Sequence, residues 1–435
     1  MDDLQYKRIT VAGLGHFGGG IAVARWLCER GAKVLVTDLS PAEKLTDSIA
    51  QLSGLPIDFC LGEHRFQDFT DADLVVTSPA IPPTNEYLAA ARDAGVPIST
   101  EIRLFIERCR AKIVGITGTK GKSTTTQLLS LMLATRYKVW TGGNIGGSLL
   151  FDLPKIAASD LVVLELSSYM LEHMRPMRWS PQVALVNMIS IDHIDWHGSA
   201  EAYVDAKRNI VRFQKAGDIA VLSDENESSA GFADHTPASI IKYGIGDRRL
   251  FSLTIPGRHN QLNAQAAFAA ASALGVSWDD AQNAVRDFSG LPHRLQLVHT
   301  SANNVRYFND SIATIPEAAV AALEAFPRDR VIQIVGGHDK HLNMAPLSEA
   351  LAERAKAILT IGATGPALAA VIASDRPQAA ARVHQCGDLV RAMRVAAELA
   401  APGDIVLLST GCASYDQFTN FQHRGDEFTR LARET

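Results

Sequence analysis

The chain has 435 residues, 47% of them apolar and 20% charged, with a formal net charge of −5. At roughly 100–200 residues per domain this length predicts several domains, taken here as three, and the composition is that of a globular protein rather than a disordered, fibrous or membrane chain. The acidic balance excludes a nucleic-acid surface, since neutralising phosphates needs a basic stripe that the sequence lacks, so an anionic small molecule would have to meet local cations.

Cys28, Cys60, Cys109, Cys386 and Cys412 are scattered without a C-x-x-C pair, so neither a zinc site nor a disulfide framework is expected. The first ten residues, MDDLQYKRIT, lack the apolar region of a signal peptide, and no apolar run is long enough to span a membrane. A cytoplasmic enzyme without membrane insertion is expected.

Short apolar runs alternate with helix-length amphipathic segments, the pattern of βαβ units with parallel sheets, so the predicted fold class is α/β. In chain order, 9–12, 34–37 and 74–77 read as buried strands, with helices near 21–29 and 45–52 and a proline-rich turn at 78–83. A helix at 101–110 and a strand at 112–116 place a boundary near 108. A second boundary falls near 298, where an alanine-rich helical stretch gives way to strand-like runs at 295–299 and 305–308. The alternation then continues through 331–335, 357–361 and 405–409, and a final helix is expected from about Asp416.

The first chemical signal is Gly13-Leu-Gly-His-Phe-Gly18, set between a strand and a helix, with Asp38 at the end of the next strand. Such a turn lets a diphosphate approach a helix N-terminus while the acid meets a sugar hydroxyl. By itself it names an NAD(P)-linked dehydrogenase; a UDP-sugar can use the same geometry.

The second signal is Gly115-Ile-Thr-Gly-Thr-Lys-Gly-Lys-Ser-Thr124, between the strand 112–116 and a helix at 124–134. Backbone N–H groups of the loop, the helix dipole and Lys122 would hold nucleotide phosphates, while a hydroxyl of Ser123 or Thr124 holds Mg²⁺. The strict Walker pattern would want glycine at Ile116, but Gly118, Gly121, Lys122 and Ser123 stand correctly. A bare nucleotide switch needs no more than this loop. The middle region adds Asn144, Glu165 and His193, each just past a strand-like run, the edge where parallel sheets bind ligands. A carboxylate at Glu165 would be costly there without a cation, which favours Mg²⁺ ligation.

These segments together resemble the Mur ligases, ATP-dependent amide-bond ligases, and the resemblance runs through nearly the whole chain. Further matching segments are Gly257-Arg-His-Asn-Gln-Leu-Asn263, Leu291-Pro-His-Arg294, Asn309-Asp-Ser311, Gly336-Gly-His-Asp-Lys340 and Ser409-Thr-Gly-Cys-Ala-Ser-Tyr-Asp416 with Arg424-Gly425. The last of these, with the Rossmann-type first domain, points to the glutamate-adding branch. Folylpolyglutamate synthase shares the central domain but lacks such a first domain.

The resemblance implies a Rossmann-like UDP-binding domain at 1–108, a P-loop ATPase domain at 109–298 and a Rossmann-like amino-acid domain at 299–435. It implies UDP-N-acetylmuramoyl-L-alanine, glutamate and ATP as substrates of a monomer, the glutamate in its D form, although one branch of the family adds the L form. Gly13, Gly15, Gly18, Asp38, Asn144 and Ser167 would bind the UDP substrate. Gly118, Thr119, Gly121, Lys122, Ser123 and Thr124 would cradle ATP, with Asn260 and Asn263 on the adenine side and Arg294 and Asp310 at phosphates and ribose. Lys122, Glu165, His193 and Lys207 would be catalytic. Two Mg²⁺ ions would be held by Ser123, Thr124, Glu165, His193 and a carbamylated Lys207. Glutamate would meet Thr314, Lys340, Ser414 and the backbone around Phe421, with His338 and His341 beside Lys340. Three positions depart from the family pattern: Met170 replaces a glutamine, Ser40 an arginine and Ile312 a lysine.

Overall fold

The computed structural model describes residues 4–15 and 19–435, so Gly18 lies outside the described residues. The first sheet is built from β1 (Arg8–Ala12), β2 (Lys33–Asp38), β3 (Ile57–Leu61), β4 (Leu74–Thr77) and β5 (Ile98–Ser99). It is parallel throughout and ordered β3-β2-β1-β4-β5. Its central strands are mostly buried, Thr10 included, and Trp26 and Leu27 of the helix Gly19–Glu29 are buried with them. The chain reverses its direction of travel between β1 and β4, which opens a crevice at their carboxyl ends.

The second sheet contains β6 (Lys112–Thr117), β7 (Val139–Gly143), β8 (Leu161–Glu165), β9 (Val183–Val186), β10 (Ile219–Ser223) and β11 (Ser239–Tyr243). It too is parallel, in the order β11-β10-β9-β6-β8-β7, so the ends of β6, β8 and β9 lie side by side at its own switch point. The third sheet contains β12 (Gln296–Thr300), β13 (Arg306–Asn309), β14 (Val331–Val335), β15 (Ala357–Ile361), β16 (Val383–Gly387) and β17 (Ile405–Leu408). Its order is β12-β13-β17-β14-β15-β16, and only β12 runs antiparallel to its neighbour.

Two compact units result. One comprises Met1–Arg249 with Leu262–Asn283 and holds the first two sheets; the other comprises Leu250–Gln261 with Ala284–Thr435 and holds the third. In the first unit one large apolar core draws on both sheets, and a smaller one gathers Ala12, Phe69, Val75, Leu88, Ala91 and Val96. Trp26 lies within the larger, and its indole N–H donates to the Leu150 carbonyl at 2.9 Å, which satisfies the one polar atom of a fully buried ring.

Some bounds differ from the sequence reading for local reasons. The stretch 45–52 yields only the helix Thr46–Ala50, and 101–110 ends at Arg108. The last helix does not begin near Asp416 but runs Phe421–Ala432. Asn420 caps it by accepting from the His423 N–H at 2.8 Å, while the Asp416 carboxylate is engaged by the Ala363 N–H at 2.9 Å. Among the described residues no helix is long and apolar enough to cross a membrane.

Candidate active site

At the crevice of the first sheet, Gly13 and Gly15 both have positive φ, +88° and +61°. Asp38 ends β2 beside them, and its carboxylate accepts from the N–H groups of Leu14 at 2.9 Å, Gly15 at 3.2 Å and Ser40 at 2.8 Å. Asp38 therefore holds the turn itself. The expectation that it waits for a sugar hydroxyl captures only part of its work, since both oxygens already accept from backbone.

The loop after β6 crosses the switch point of the second sheet. Gly121 caps the helix Lys122–Ala134 with φ +86°, and a Cβ there would lie 2.3 Å from Asn263 Oδ1, so only glycine allows this approach. Behind the loop a polar relay fixes its seat: Asn187 Nδ2 donates to Thr125 Oγ1 at 3.0 Å, and Thr125 Oγ1 donates to Asn263 Oδ1 at 3.3 Å. Thr119 is tied down by its own N–H to the Met188 carbonyl at 2.8 Å and by its hydroxyl, 2.8 Å from the Tyr203 hydroxyl. Lys122 Nζ reaches the Thr119 carbonyl at 3.1 Å, and Ser123 and Thr124 follow in the first helical turn.

Lys207 is 2% exposed on the helix Ala200–Arg212, and its Nζ donates to the Gly118 carbonyl at 2.9 Å. Burial, reinforced by the Lys122 cation, pushes this ammonium well below the usual lysine range, against the opposing pull of Asp192 and Glu165. Nothing in its local sequence marks Lys207 as other than a solvated helix lysine, and only the family resemblance singled it out. Its burial shows that it is not solvated.

Glu165 is the last residue of β8, in register with Ile116 of β6, and is 1% exposed. Its Oε1 accepts from Asn144 Nδ2 at 2.9 Å, while its Oε2 is buried with no hydrogen-bond partner. A carboxylate oxygen in that state fits a cation. Among the described residues no three His, Cys, Asp or Glu side chains converge as a ready-made metal site, so a divalent ion there would complete its shell from hydroxyls, phosphates and water. Gly143 makes the arrangement possible: with φ +93°, a Cβ there would lie 2.2 Å from the Glu165 carbonyl oxygen. Gly143→Ala is expected to destabilise the protein by roughly 2 kcal/mol through strain and overlap and to lower activity as Glu165 shifts. An unchanged denaturation midpoint together with full activity would refute this account of Gly143.

His193 caps the short helix Ile194–His197 with φ +49°; it lies 3.6 Å from Asp192, and its ring sits 5.0 Å from that of Tyr169. Ser167 caps the helix Ser168–Met174, accepting from the Met170 N–H at 3.2 Å, and Met170 is buried in the core.

In the second unit Asn260 donates to the Pro256 carbonyl at 2.6 Å. Asp310 is 5% exposed, and burial pushes its carboxyl up to about 7, opposed by hydrogen bonds from Ser409 Oγ at 2.8 Å and the Leu295 N–H at 3.0 Å and by nearby Arg294. Lys340 is exposed and, with His338, Thr364, Gly411 and Cys412, lines a recess at the ends of β14 and β17. Thr314 follows Ala313, whose carbonyl accepts from the Gly411 N–H at 3.0 Å, while Ser414 is buried. The Phe421 carbonyl accepts from Ser311 Oγ at 2.8 Å. The recess thus gathers Lys340 with Thr364 and Cys412, and Thr314, Ser414 and Phe421 do not line it.

Several residues important to this architecture were not singled out from the sequence. Asn187, Tyr203 and Thr364 act through tertiary partners. Arg424 was noted only within a motif; it is 1% exposed and donates to Ser311 Oγ at 2.9 Å and to the carbonyls of Ser311 at 2.8 Å and Cys412 at 3.1 Å.

A phosphate-cradling loop, a second glycine turn and a buried carboxylate at the switch points of parallel sheets define a nucleotide-using α/β enzyme. Three family models match: the Mur ligase MurD-like N-terminal domain over 7–100, the Mur ligase middle domain over 116–252 and the Mur ligase glutamate ligase domain over 293–412. The UDP-N-acetylmuramoylalanine–D-glutamate ligase of Roseiflexus sp. strain RS-1 is 41% identical over 98% of both chains. That of Symbiobacterium thermophilum is 34% identical over 98% of this chain and 97% of its own. The chain belongs to the Mur ligase family, whose members are ADP-forming amide ligases that use ATP and Mg²⁺. In fold it is similar to the solved UDP-N-acetylmuramate–alanine ligase of Thermotoga maritima, with TM-score 0.61 and 21% identity over 99% of each chain. It is also similar to the folylpolyglutamate synthase of Mycobacterium tuberculosis, with TM-score 0.54 and 15% identity over 77% of this chain and 94% of that one.

Proposed function

We propose that this chain joins D-glutamate to UDP-N-acetylmuramoyl-L-alanine, driven by ATP, in the synthesis of peptidoglycan precursors. The observation that carries this reading is the 41% identity, over 98% of both lengths, to a ligase named for that reaction. We place the domain boundaries near 108 and 298; the change of sheet between β5 and β6 and the N-terminal model ending at 100 support the first, whereas β12 and the C-terminal model, which begins at 293, favour a second boundary a few residues earlier than 298. A cytoplasmic location, in keeping with five cysteines none of which is paired, and a monomeric state belong to the same reading.

A carboxylate does not acylate an amine in water because its leaving group is oxide. Transfer of the γ-phosphoryl group from ATP to the alanyl carboxylate gives ADP and an acyl phosphate. The glutamate amine then attacks the carbonyl carbon, and the tetrahedral intermediate expels inorganic phosphate. Lys122 and the loop N–H groups would hold the phosphates in line. Mg²⁺, in two sites drawn from Ser123, Thr124, Glu165, His193 and a carbamylated Lys207, would act as a Lewis acid on the phosphoryl oxygens. Asn144 holds Glu165 through the 2.9 Å hydrogen bond to Oε1, which would leave Oε2 for that ion. The buried amine of Lys207, favoured in its neutral form, is the species that adds CO₂ to become a carbamate. Asn260 and Asn263 would lie toward adenine, and Arg294 and Asp310 toward phosphate and ribose. Gly13, Gly15, Asn144 and Ser167 would take the UDP substrate, with Gly18 assigned from the sequence and Asp38 acting mainly through the turn. Lys340 would supply the cation for a glutamate carboxylate, with Thr314, Ser414 and the backbone around Phe421 as further partners and His338 beside it in the recess.

The test is the product mass and the rate from ATP, UDP-N-acetylmuramoyl-L-alanine and each glutamate enantiomer. D-Glutamate is expected to react at least about tenfold faster, about 1.4 kcal/mol of discrimination. The same preference for L-glutamate would overturn the stereochemistry, where Ile312 stands in place of lysine; inactivity with both would overturn the substrate assignment.

A further inference from the structure

The loop 78–83 leaves β4 at the switch point of the first sheet and carries Pro79, Pro82 and Pro83. On one side it packs on the glycine turn: the Ser78 N–H donates to the Ala12 carbonyl at 2.8 Å, and a Cβ on Gly13 would lie 2.9 Å from Ser78 Cβ and 3.5 Å from Ile81 Cδ1. On its other side, two successive carbonyls accept from side chains of the second-sheet region. The Trp196 indole N–H donates to the Ala80 carbonyl at 2.8 Å, and His173 Nε2 lies 2.9 Å from the Ile81 carbonyl. Facing a carbonyl, His173 Nε2 must carry hydrogen, and burial keeps the imidazole neutral by lowering its pKa.

Both donors ride on segments that carry proposed site residues. His173 belongs to the helix capped by Ser167, and Trp196 to the helix capped by His193. His197 Nε2 lies 3.0 Å from Ser168 Oγ and joins the two helices, while the Tyr169 ring lies 4.6 Å from that of Trp196 and 5.0 Å from that of His193. Prolines fix three φ angles of the loop but remove three donors, so its internal hydrogen bonds reduce to Ile81 N–H to the Ser78 carbonyl at 3.1 Å and a long one from Ala80 N–H to Ser78 Oγ at 3.4 Å. Its seat is set from outside.

We propose that Trp196 and His173 are positioning residues for the nucleotide-sugar substrate: by gripping the Ala80 and Ile81 carbonyls they fix the span between the diphosphate turn at Gly13 and the acyl-transfer residues around His193. The proposal rests on the function given above. A UDP-N-acetylmuramoyl substrate must bridge that span in one piece, whereas ATP and glutamate are assigned to other residues. An error in the span therefore acts on one substrate of three, which is what separates this role from general support of the fold.

The experiment measures binding of UDP-N-acetylmuramoyl-L-alanine and of a non-hydrolysable ATP analogue by calorimetry, with steady-state KM for all three substrates, in the full chain. Trp196→Phe keeps a ring against Tyr169 and removes the donor; His173→Leu removes the other donor, and His173→Gln returns an N–H near the Nε2 position. Kd and KM for the nucleotide sugar are expected to rise about tenfold in Trp196→Phe and His173→Leu, as for a lost buried hydrogen bond. The ATP analogue and glutamate are expected to stay within about twofold, and His173→Gln to behave as wild type. Should His173→Leu fail to fold, Trp196→Phe decides alone. If the wild-type chain does not bind the nucleotide sugar, the proposed function fails. If it binds and Trp196→Phe matches it, if all three substrates weaken together, or if a folded His173→Gln is as weak as His173→Leu, the positioning role is overturned.

Discussion

Lys122→Ala is expected to lower ADP-forming ligation at least about a hundredfold, because a single cation aimed at charge developing in a dry site contributes several kcal/mol to transition-state stabilisation. The structure gives a reason for the loss to fall on catalysis rather than on folding. Lys122 is half-buried in the first turn of its helix, where its Nζ reaches back to the Thr119 carbonyl at 3.1 Å. The loop is separately seated by Thr119 and by the Asn187–Thr125–Asn263 relay, so truncation leaves its frame standing. Near wild-type phosphate release from Lys122→Ala, with the nucleotide sugar and glutamate saturating, would defeat the phosphate-binding assignment.

Lys207→Ala is expected to be close to inactive and to recover in part when short carboxylic acids are added. The argument is one of charge. An ammonium beside Lys122 inside the fold is unfavourable on two counts, burial and like-charge repulsion, and the side chain has Asp192 and Glu165 as its opposing charges. A carbamate turns that cation into an anion able to share a divalent ion with Glu165, whose Oε2 is buried without a hydrogen-bond partner. Alanine leaves a void that a small carboxylate can enter. Two results would count against the role: no rescue across a series of carboxylates, and an intact mass without the added CO₂ when the wild-type protein is kept in bicarbonate.

The strands at 331–335 and 357–361 coincide with β14 and β15 because both are buried along their whole length, and such strands announce themselves as unbroken apolar runs. Strands β3, β11 and β16 lie at sheet edges with mixed burial, and none stood out in the same way. The phosphate loop was legible because strand, glycine turn and helix are contiguous in the chain. What could not be read were relations between distant residues. Lys207 is ordinary until the fold places it against Gly118, and Asn187 carries no local signature of its contact with Thr125. The start of the last helix was missed because it depends on Asn420 capping while Asp416 is drawn away to Ala363, a partner remote in sequence.

The carboxylate of Asp38 beneath the glycine turn bears on how a ligand is captured. Two glycines at positive φ are residues with much backbone freedom to lose. The Asp38 carboxylate fixes Leu14 and Gly15, together with Ser40, in the free chain. The entropy of ordering that part of the turn is thereby borne in folding, and little of it is left to oppose association. A diphosphate bound there, as proposed above, would meet Leu14 and Gly15 already set, so its affinity would reflect contact made rather than backbone tamed at those two residues.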